Sequence, residues 1–90
     1  HKSAKNKLDV KIKFNSNGNE RYELEENDMS IIGLPNEKEK RTYMFKATEA
    51  EIFWEIFKFG SDAKIIEPVS LREKFKVFYE YAAKVYGNEK

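Results

Sequence analysis

The chain has 90 residues, of which 40% are hydrophobic and 37% are charged, and its formal net charge at pH 7 is +1. A chain of this length supports one domain with one modest hydrophobic core. Because 17 basic residues nearly balance 16 acidic ones, the chain lacks the global positive field that drives non-specific binding to DNA or to an anionic membrane.

Cysteine is absent from the sequence, which excludes disulfides and thiolate metal sites and is compatible with a reducing cytosol. No apolar run approaches the length of a membrane span, and the N-terminus lacks the hydrophobic stretch of a signal peptide. We therefore expect a soluble, cytoplasmic domain with no membrane partner. The chain starts without methionine, so we interpret it as a fragment with a linker tail at residues 1–7, one domain at residues 8–87 and a polar tail at residues 88–90.

The first predicted element is a strand. Apolar and polar side chains alternate from Leu8 to Phe14, which is typical of a strand with one buried and one solvated face. The following residues, 16–27, are ambiguous. Asn17-Gly18 is a hairpin signal, whereas Glu20 to Glu26 has a helix-forming composition, so the residues leave helix and hairpin strand both open.

Two further strands are predicted in the middle of the chain. Apolar residues within Met29–Leu34 indicate a short second strand, and the charged run Pro35–Arg41 is typical of a solvated hairpin loop. Residues 42–47 alternate again and predict a third strand. Both faces of this strand are fairly apolar, so we expect it in the middle of the sheet.

The remaining elements carry clear boundary signals. Thr48–Glu51 is a capping box, so a helix is predicted from there to Phe59, ended by Gly60 in the left-handed conformation. Lys64–Glu67 predicts a fourth strand that Pro68 stops. Ser70–Glu73 is a second capping box, which predicts a last helix that extends to about Tyr86 before Gly87 ends it.

Residues for enzymatic chemistry are scarce. His1 is the only histidine and lies in the predicted tail, and without cysteine the usual nucleophile and base pairs cannot be assembled. The glycines are scattered, so no phosphate-binding loop is indicated. We expect no enzyme, no catalytic residues, no cofactor and no metal site.

Aromatic residues are concentrated in the last two helices. They are Phe53, Trp54, Phe57, Phe59, Phe75, Phe78, Tyr79, Tyr81 and Tyr86. The apolar arc of the last helix spans about half its circumference, against roughly 100° needed for docking onto one sheet. The flanking tyrosines could lie at the core boundary with their hydroxyls in water, or the helix could bury a second surface against another subunit or the upstream domain. The candidate interface residues are Trp54, Val77, Tyr79, Tyr81 and Tyr86.

Two cations near the start of the last helix are candidate ligand contacts. Arg72 and Lys74 are poorly placed relative to the helix dipole unless an anion lies nearby, although simple pairing with neighbouring glutamates would also explain them. A nucleic-acid surface would instead need Tyr43, Phe45 or Tyr79 to be exposed beside lysines.

The run Phe59–Glu73 contains a string of the form Phe-Gly-x-x-Ala-x-aliphatic-aliphatic-Glu-Pro-x-x-Leu-Arg-Glu. It resembles the C-terminal extension (WCX) domain of WYL-domain bacterial transcriptional regulators. The resemblance covers Leu8 to Tyr86 and is specific from about Trp54 onward. It implies a short helix after the first strand, capped by Ser16 or Asn17. Relatives often carry a tryptophan one position after Trp54, where this chain has Glu55, so their contact at that site is not carried over.

With that helix, the element order is strand, helix, strand, strand, helix, strand, helix. Right-handed crossovers then interleave two split strand-helix-strand units into a four-stranded antiparallel sheet with helices on one face. The predicted fold is α+β, a ferredoxin-like βαββαβ sandwich with an additional C-terminal helix.

The resemblance also implies a function. It indicates a regulatory domain that aids subunit association and the ligand response of a WYL-type helix-turn-helix regulator. The partners implied are upstream WYL and helix-turn-helix domains of the same chain and a second subunit in a homodimer, with DNA bound only through the N-terminal domain. The alternative is a free-standing ferredoxin-like module that binds a small molecule or nucleic acid on its sheet.

Overall fold

The computed structural model describes residues 6–87, so His1 and most of the two predicted tails lie outside the described residues. Four strands and three α-helices make up the domain, with short 3-10 segments at Glu26–Asp28 and Phe57–Asp62. The elements are β1 (Leu8–Phe14), α1 (Ser16–Glu25), β2 (Gly33–Pro35), β3 (Thr42–Ala47), α2 (Glu49–Ile56), β4 (Ala63–Glu67) and α3 (Val69–Gly87).

The four strands form one sheet in the order β2-β3-β1-β4, and each neighbouring pair is antiparallel. The two crossover connections, through α1 and through α2, each skip one strand, as a pair of split strand-helix-strand units requires. The fold is therefore α+β and ferredoxin-like with an additional C-terminal helix, as predicted. The prediction that the third strand lies in the middle of the sheet is also confirmed.

The core lies between one face of this sheet and the helices. Val10, Ile12 and Phe14 alternate along β1 and are fully buried, while the residues between them point away from the core. Phe45 of β3 is the register partner of Val10 and is equally buried. Helical residues that complete the core are Tyr22, Ile52, Ile56, Leu71 and Phe75.

Residues 16–25 form a helix, which resolves the ambiguity of this segment. The cap is Asn15, whose side-chain oxygen accepts a hydrogen bond from the Gly18 amide at 2.8 Å. The prediction that Ser16 or Asn17 caps the helix is therefore wrong, because both already lie inside its first turn. Gly18 is buried where α1 meets the backbone of Asp62, so the glycine serves close packing and not a hairpin turn.

The predicted second strand is largely wrong, because β2 is confined to Gly33–Pro35. Residues 29–32 form no ladder with β3, although Met29 and Ile31 are buried as the pattern indicated. The physical reason is a side-chain acceptor: the Ser30 amide donates to the Glu55 carboxylate at 2.9 Å instead of to a neighbouring strand.

The capping box of α2 is confirmed. The Thr48 hydroxyl oxygen accepts from the Glu51 amide at 3.1 Å, and the Glu51 carboxylate accepts from the Thr48 amide at 2.9 Å. The α-helix ends at Ile56, before the predicted Phe59, and the chain continues as a 3-10 segment. Gly60 has the positive φ expected of a glycine, 56°, but its ψ of −127° and its place inside the 3-10 segment mean that it does not cap α2 as predicted.

The second predicted capping box is wrong. Helix α3 begins at Val69, so Ser70 lies within the first turn and cannot act as the cap. Pro68 takes the cap position without a side-chain acceptor, and its carbonyl accepts the first helical hydrogen bonds, from the amides of Leu71 and Arg72 at 3.1 and 3.0 Å. The helix starts directly after β4 because Pro68 ends the strand, and it extends through Gly87, the last described residue.

Candidate functional site

Aromatic stacking holds α3 against α2. The Phe53 and Phe75 rings stack with centroids 4.2 Å apart, and the Phe57 and Tyr79 rings stack at 5.3 Å. The Phe57 ring also meets Phe78 edge-on at 5.1 Å. These contacts explain much of the aromatic content of the two helices, because offset and edge-on pairs each stabilise packing beyond their buried area.

A second apolar face of α3 is left largely uncovered by the described residues. Val77, Phe78, Tyr81 and Val85 follow the helical period and so share one side of the helix. Their side chains are between 42% and 67% exposed. Phe78 also contacts Phe57, so this exposed side is continuous with the aromatic contact between α2 and α3.

Helix α2 extends the same surface. Trp54 is 80% exposed and lies one turn before Phe57, which is itself exposed where it contacts Phe78. We call the combined patch the association surface, and it consists of Trp54, Phe57, Val77, Phe78, Tyr81 and Val85.

Two of the predicted interface tyrosines differ in their surroundings. Tyr79 is partly buried in its own chain, where its hydroxyl donates to the Phe57 carbonyl at 3.3 Å and burial raises the pKa of Tyr79. Tyr86 shares a helix side with Phe75 and Tyr79 but is 74% exposed. The end of α3 therefore extends past the body of the domain.

The structure places the two candidate ligand contacts on different sides of α3. Lys74 forms an ion pair at 2.9 Å with Glu49 of α2, a glutamate of another helix and not one of the neighbouring glutamates that the sequence offered. Arg72 instead lines a cavity of about 310 Å³ between β4 and α3, together with Lys64 and Lys76. The two residues are therefore not parts of one site.

The open face of the sheet lacks the aromatic platform that a nucleic-acid surface would need. Phe45 is fully buried on the helix side, and Tyr43 packs against the same core. The outward positions of β1 and β3 include Lys11, Lys13 and Lys46, of which Lys11 is paired with Glu39 and Lys46 with Asp9. Since bases stack on exposed rings in such surfaces, this arrangement does not favour the nucleic-acid alternative.

Sequence reasoning missed a buried carboxylate. Glu55 is only 7% exposed and accepts hydrogen bonds from the Ser30 hydroxyl at 2.7 Å and the Ser30 amide at 2.9 Å. The signal was available, because Glu55 follows the buried Ile52 by one turn and so occupies a core-facing position of α2. Its role is structural, since it joins α2 to the segment before β2.

Glu55 should give the domain a measurable acid sensitivity. Burial by itself would raise the pKa of Glu55, but the Ser30 hydrogen bonds and the Lys58 ammonium at 3.7 Å outweigh it and lower that pKa. A carboxylate with a lowered folded-state pKa stabilises the fold above its unfolded pKa of about 4.3 and loses that contribution as pH falls through the folded value.

We expect Glu55→Gln to reduce the free energy of unfolding by about 1–2 kcal/mol at pH 7, because a charged acceptor is lost. Urea denaturation at pH 7 and at pH 3 checks this. The difference in free energy of unfolding between wild type and variant should be smaller at pH 3. Glu23→Gln, at an exposed position of α1, is the control. An equal difference in free energy of unfolding at pH 7 and pH 3 would contradict the conclusion that Glu55 is charged and stabilising in the folded domain.

Within residues 6–87, no three carboxylate or histidine side chains converge in a way that could hold a metal ion. None of the helices in that range combines the length and apolar character needed to cross a bilayer. Comparison of the chain with protein-family models, with curated proteins and with solved structures finds no match.

Proposed function

We propose that this domain is a non-enzymatic association module, the C-terminal regulatory domain of a cytoplasmic, WYL-type helix-turn-helix transcriptional regulator. In this proposal it brings subunits together and helps to complete their ligand response, while a separate N-terminal domain binds DNA. The support comes from the Phe59–Glu73 string, the balanced charge and the ferredoxin-like fold with its added helix.

The association surface carries the proposal. Small soluble domains rarely leave contiguous large apolar side chains in water unless a partner covers them. The patch includes Trp54 and Tyr81, residue types that dominate the binding energy of protein interfaces. Its central part lies where α2 and α3 are already packed together through Phe57 and Phe78, so little conformational entropy would be lost there on binding.

The charges beside the surface favour a second copy of this chain as the partner. Glu73, Val77, Glu80 and Lys84 follow one another along a single side of α3 at helical spacing. When two α3 helices pack antiparallel about a two-fold axis near Phe78, Glu73 of one copy lies beside Lys84 of the other. Such a pairing is self-complementary, as a two-fold interface requires.

We expect Tyr81→Glu to weaken dimerisation about tenfold or more, because it would bury an unpaired charge at the centre of the interface. Sedimentation equilibrium over a range of micromolar concentrations measures the effect. Ala83→Glu is the matched control, since it adds the same charge to the opposite, exposed side of α3.

Two results would count against the proposal. The first is a strictly monomeric wild-type domain at high micromolar concentration whose longer parent protein is also monomeric. The second is an equal loss of association in Tyr81→Glu and Ala83→Glu, which would place the contact elsewhere.

A further inference from the structure

A groove runs between the edge of the sheet and the first half of α3. β4 pairs with β1 on one side only, and α3 follows directly after Pro68 and packs beside the strand. The space between them is the cavity of about 310 Å³ that Arg72 lines. This volume is at the lower end of the roughly 300–1,000 Å³ typical of small-molecule sites.

The floor and the rim of the groove differ in chemistry. The floor is apolar and is formed by the buried side chains of Ile56, Ile65 and Phe75. The rim carries the exposed cations Lys64, Arg72 and Lys76, with Glu73 as the one carboxylate among the lining residues.

The rim cations are not neutralised within the domain. Among residues 6–87, no carboxylate oxygen lies within ion-pair distance of Lys64, Arg72 or Lys76. Lys13 is the direct cross-strand partner of Lys64, but it points to the open face of the sheet and does not line the groove. Within the described residues, Arg72 and Lys76, one turn apart on α3, therefore remain as unpaired cations that would attract an anion.

We infer that this groove binds a small molecule with an apolar body and an anionic head, either a carboxylate or a phosphate. The body lies on the Ile65 and Phe75 floor, and the head faces Arg72 and Lys76, which are one turn apart on α3. The planar guanidinium of Arg72 can donate two parallel hydrogen bonds to either head group.

The cations that carry this site are separate from the association surface. Arg72 and Lys76 lie on the side of α3 away from Val77 and Tyr81, as the helical period requires. A ligand in the groove therefore leaves the association surface uncovered, and variants of one site should leave the other intact.

The test is an NMR titration of the ¹⁵N-labelled domain with 3-phenylpropionate and phenyl phosphate, with 3-phenylpropanamide as the neutral analogue. We expect concentration-dependent shifts of the Ile65, Arg72 and Phe75 amides with the two anions, and binding of the amide weaker by about tenfold. Whichever anion binds more tightly identifies the preferred head group.

Variants then assign the binding to the groove. Arg72→Gln combined with Lys76→Gln should weaken binding of the anions by about tenfold or more, whereas Lys74→Gln, on the Glu49 side of α3, should leave it unchanged. The inference is overturned if millimolar anion causes no shifts, if the shifts lie on the association surface, if the amide binds equally well, or if Lys74→Gln has the same effect as the double variant. If the domain is monomeric but still binds the anions, the proposed association role is refuted and the inferred binding site stands.

Discussion

Replacing Phe14 with alanine is expected to lower the free energy of unfolding by about 4 kcal/mol, which is the largest effect of any single substitution considered for this domain. The Phe14 side chain is fully buried at the end of β1. Its ring lies 5.2 Å from that of Tyr22 and 5.1 Å from that of Phe59, measured between centroids. It therefore joins the sheet to α1 and to the segment after α2, and its loss opens a cavity at their junction.

Urea denaturation followed by circular dichroism measures this loss. A domain of this size has a total stability of about 5–10 kcal/mol, so the variant should be near the limit of folding. Leu34→Ala is the control, because Leu34 is exposed on the opposite face of the sheet and should change stability by no more than about 0.5 kcal/mol. A loss below about 1 kcal/mol for Phe14→Ala would show that this aromatic cluster is not the centre of the core.

Gly18→Ala is expected to destabilise the domain by about 2 kcal/mol, against the direction that helix propensity predicts. Inside a helix, alanine is normally favoured over glycine by about 1 kcal/mol. At Gly18, however, an added methyl group would overlap the carbonyl oxygen of Asp62. The Asp62 carbonyl is held in place because it accepts a hydrogen bond from the Asn15 amide at 3.0 Å. The Asn15 side-chain amide also donates to the Asp62 carboxylate at 2.9 Å, so α1 would have to move to make room for the methyl group.

The shift in thermal midpoint relative to wild type checks this prediction. Asn17→Ala is the control, because Asn17 precedes Gly18 in the same helix and is exposed, so there the propensity of alanine should act without a clash. We expect this control to be neutral or slightly stabilising. If Gly18→Ala also stabilised the domain, the close approach of α1 to Asp62 would be refuted.

The sequence predicts most of this fold because its signals are local and consistent. The alternation along β1 and the Thr48 capping box each determine structure within a few residues, and the strand order follows from the handedness of the crossovers. Errors occur where a contact with a residue distant in the sequence determines the local structure. Ser30 leaves the ladder because Glu55 accepts its amide. The segment around Gly18 was ambiguous and not an error, because Asn17-Gly18 has hairpin chemistry and only the resemblance favoured the helix that forms.

The candidate site was predictable in outline and not in detail. The width of the apolar arc on α3 indicated exposed side chains, and Val77, Tyr81 and Tyr86 are exposed in the structure. The helical period alone could not show that Tyr79 packs onto Phe57, or that Lys74 meets Glu49 while Arg72 faces β4. Those outcomes depend on the position of α2 and β4 around the helix, which is a property of the tertiary structure.

The reach of α3 beyond the domain has a consequence for assembly. Tyr86 is 74% exposed and Val85 is 50% exposed, so the rest of the domain leaves much of these turns uncovered and their own backbone hydrogen bonds supply most of their stability. Short helical ends of this kind unravel readily in water. A neighbouring subunit that covers those turns would stabilise their helical backbone, so slower hydrogen exchange of their amides would directly report formation of the complex.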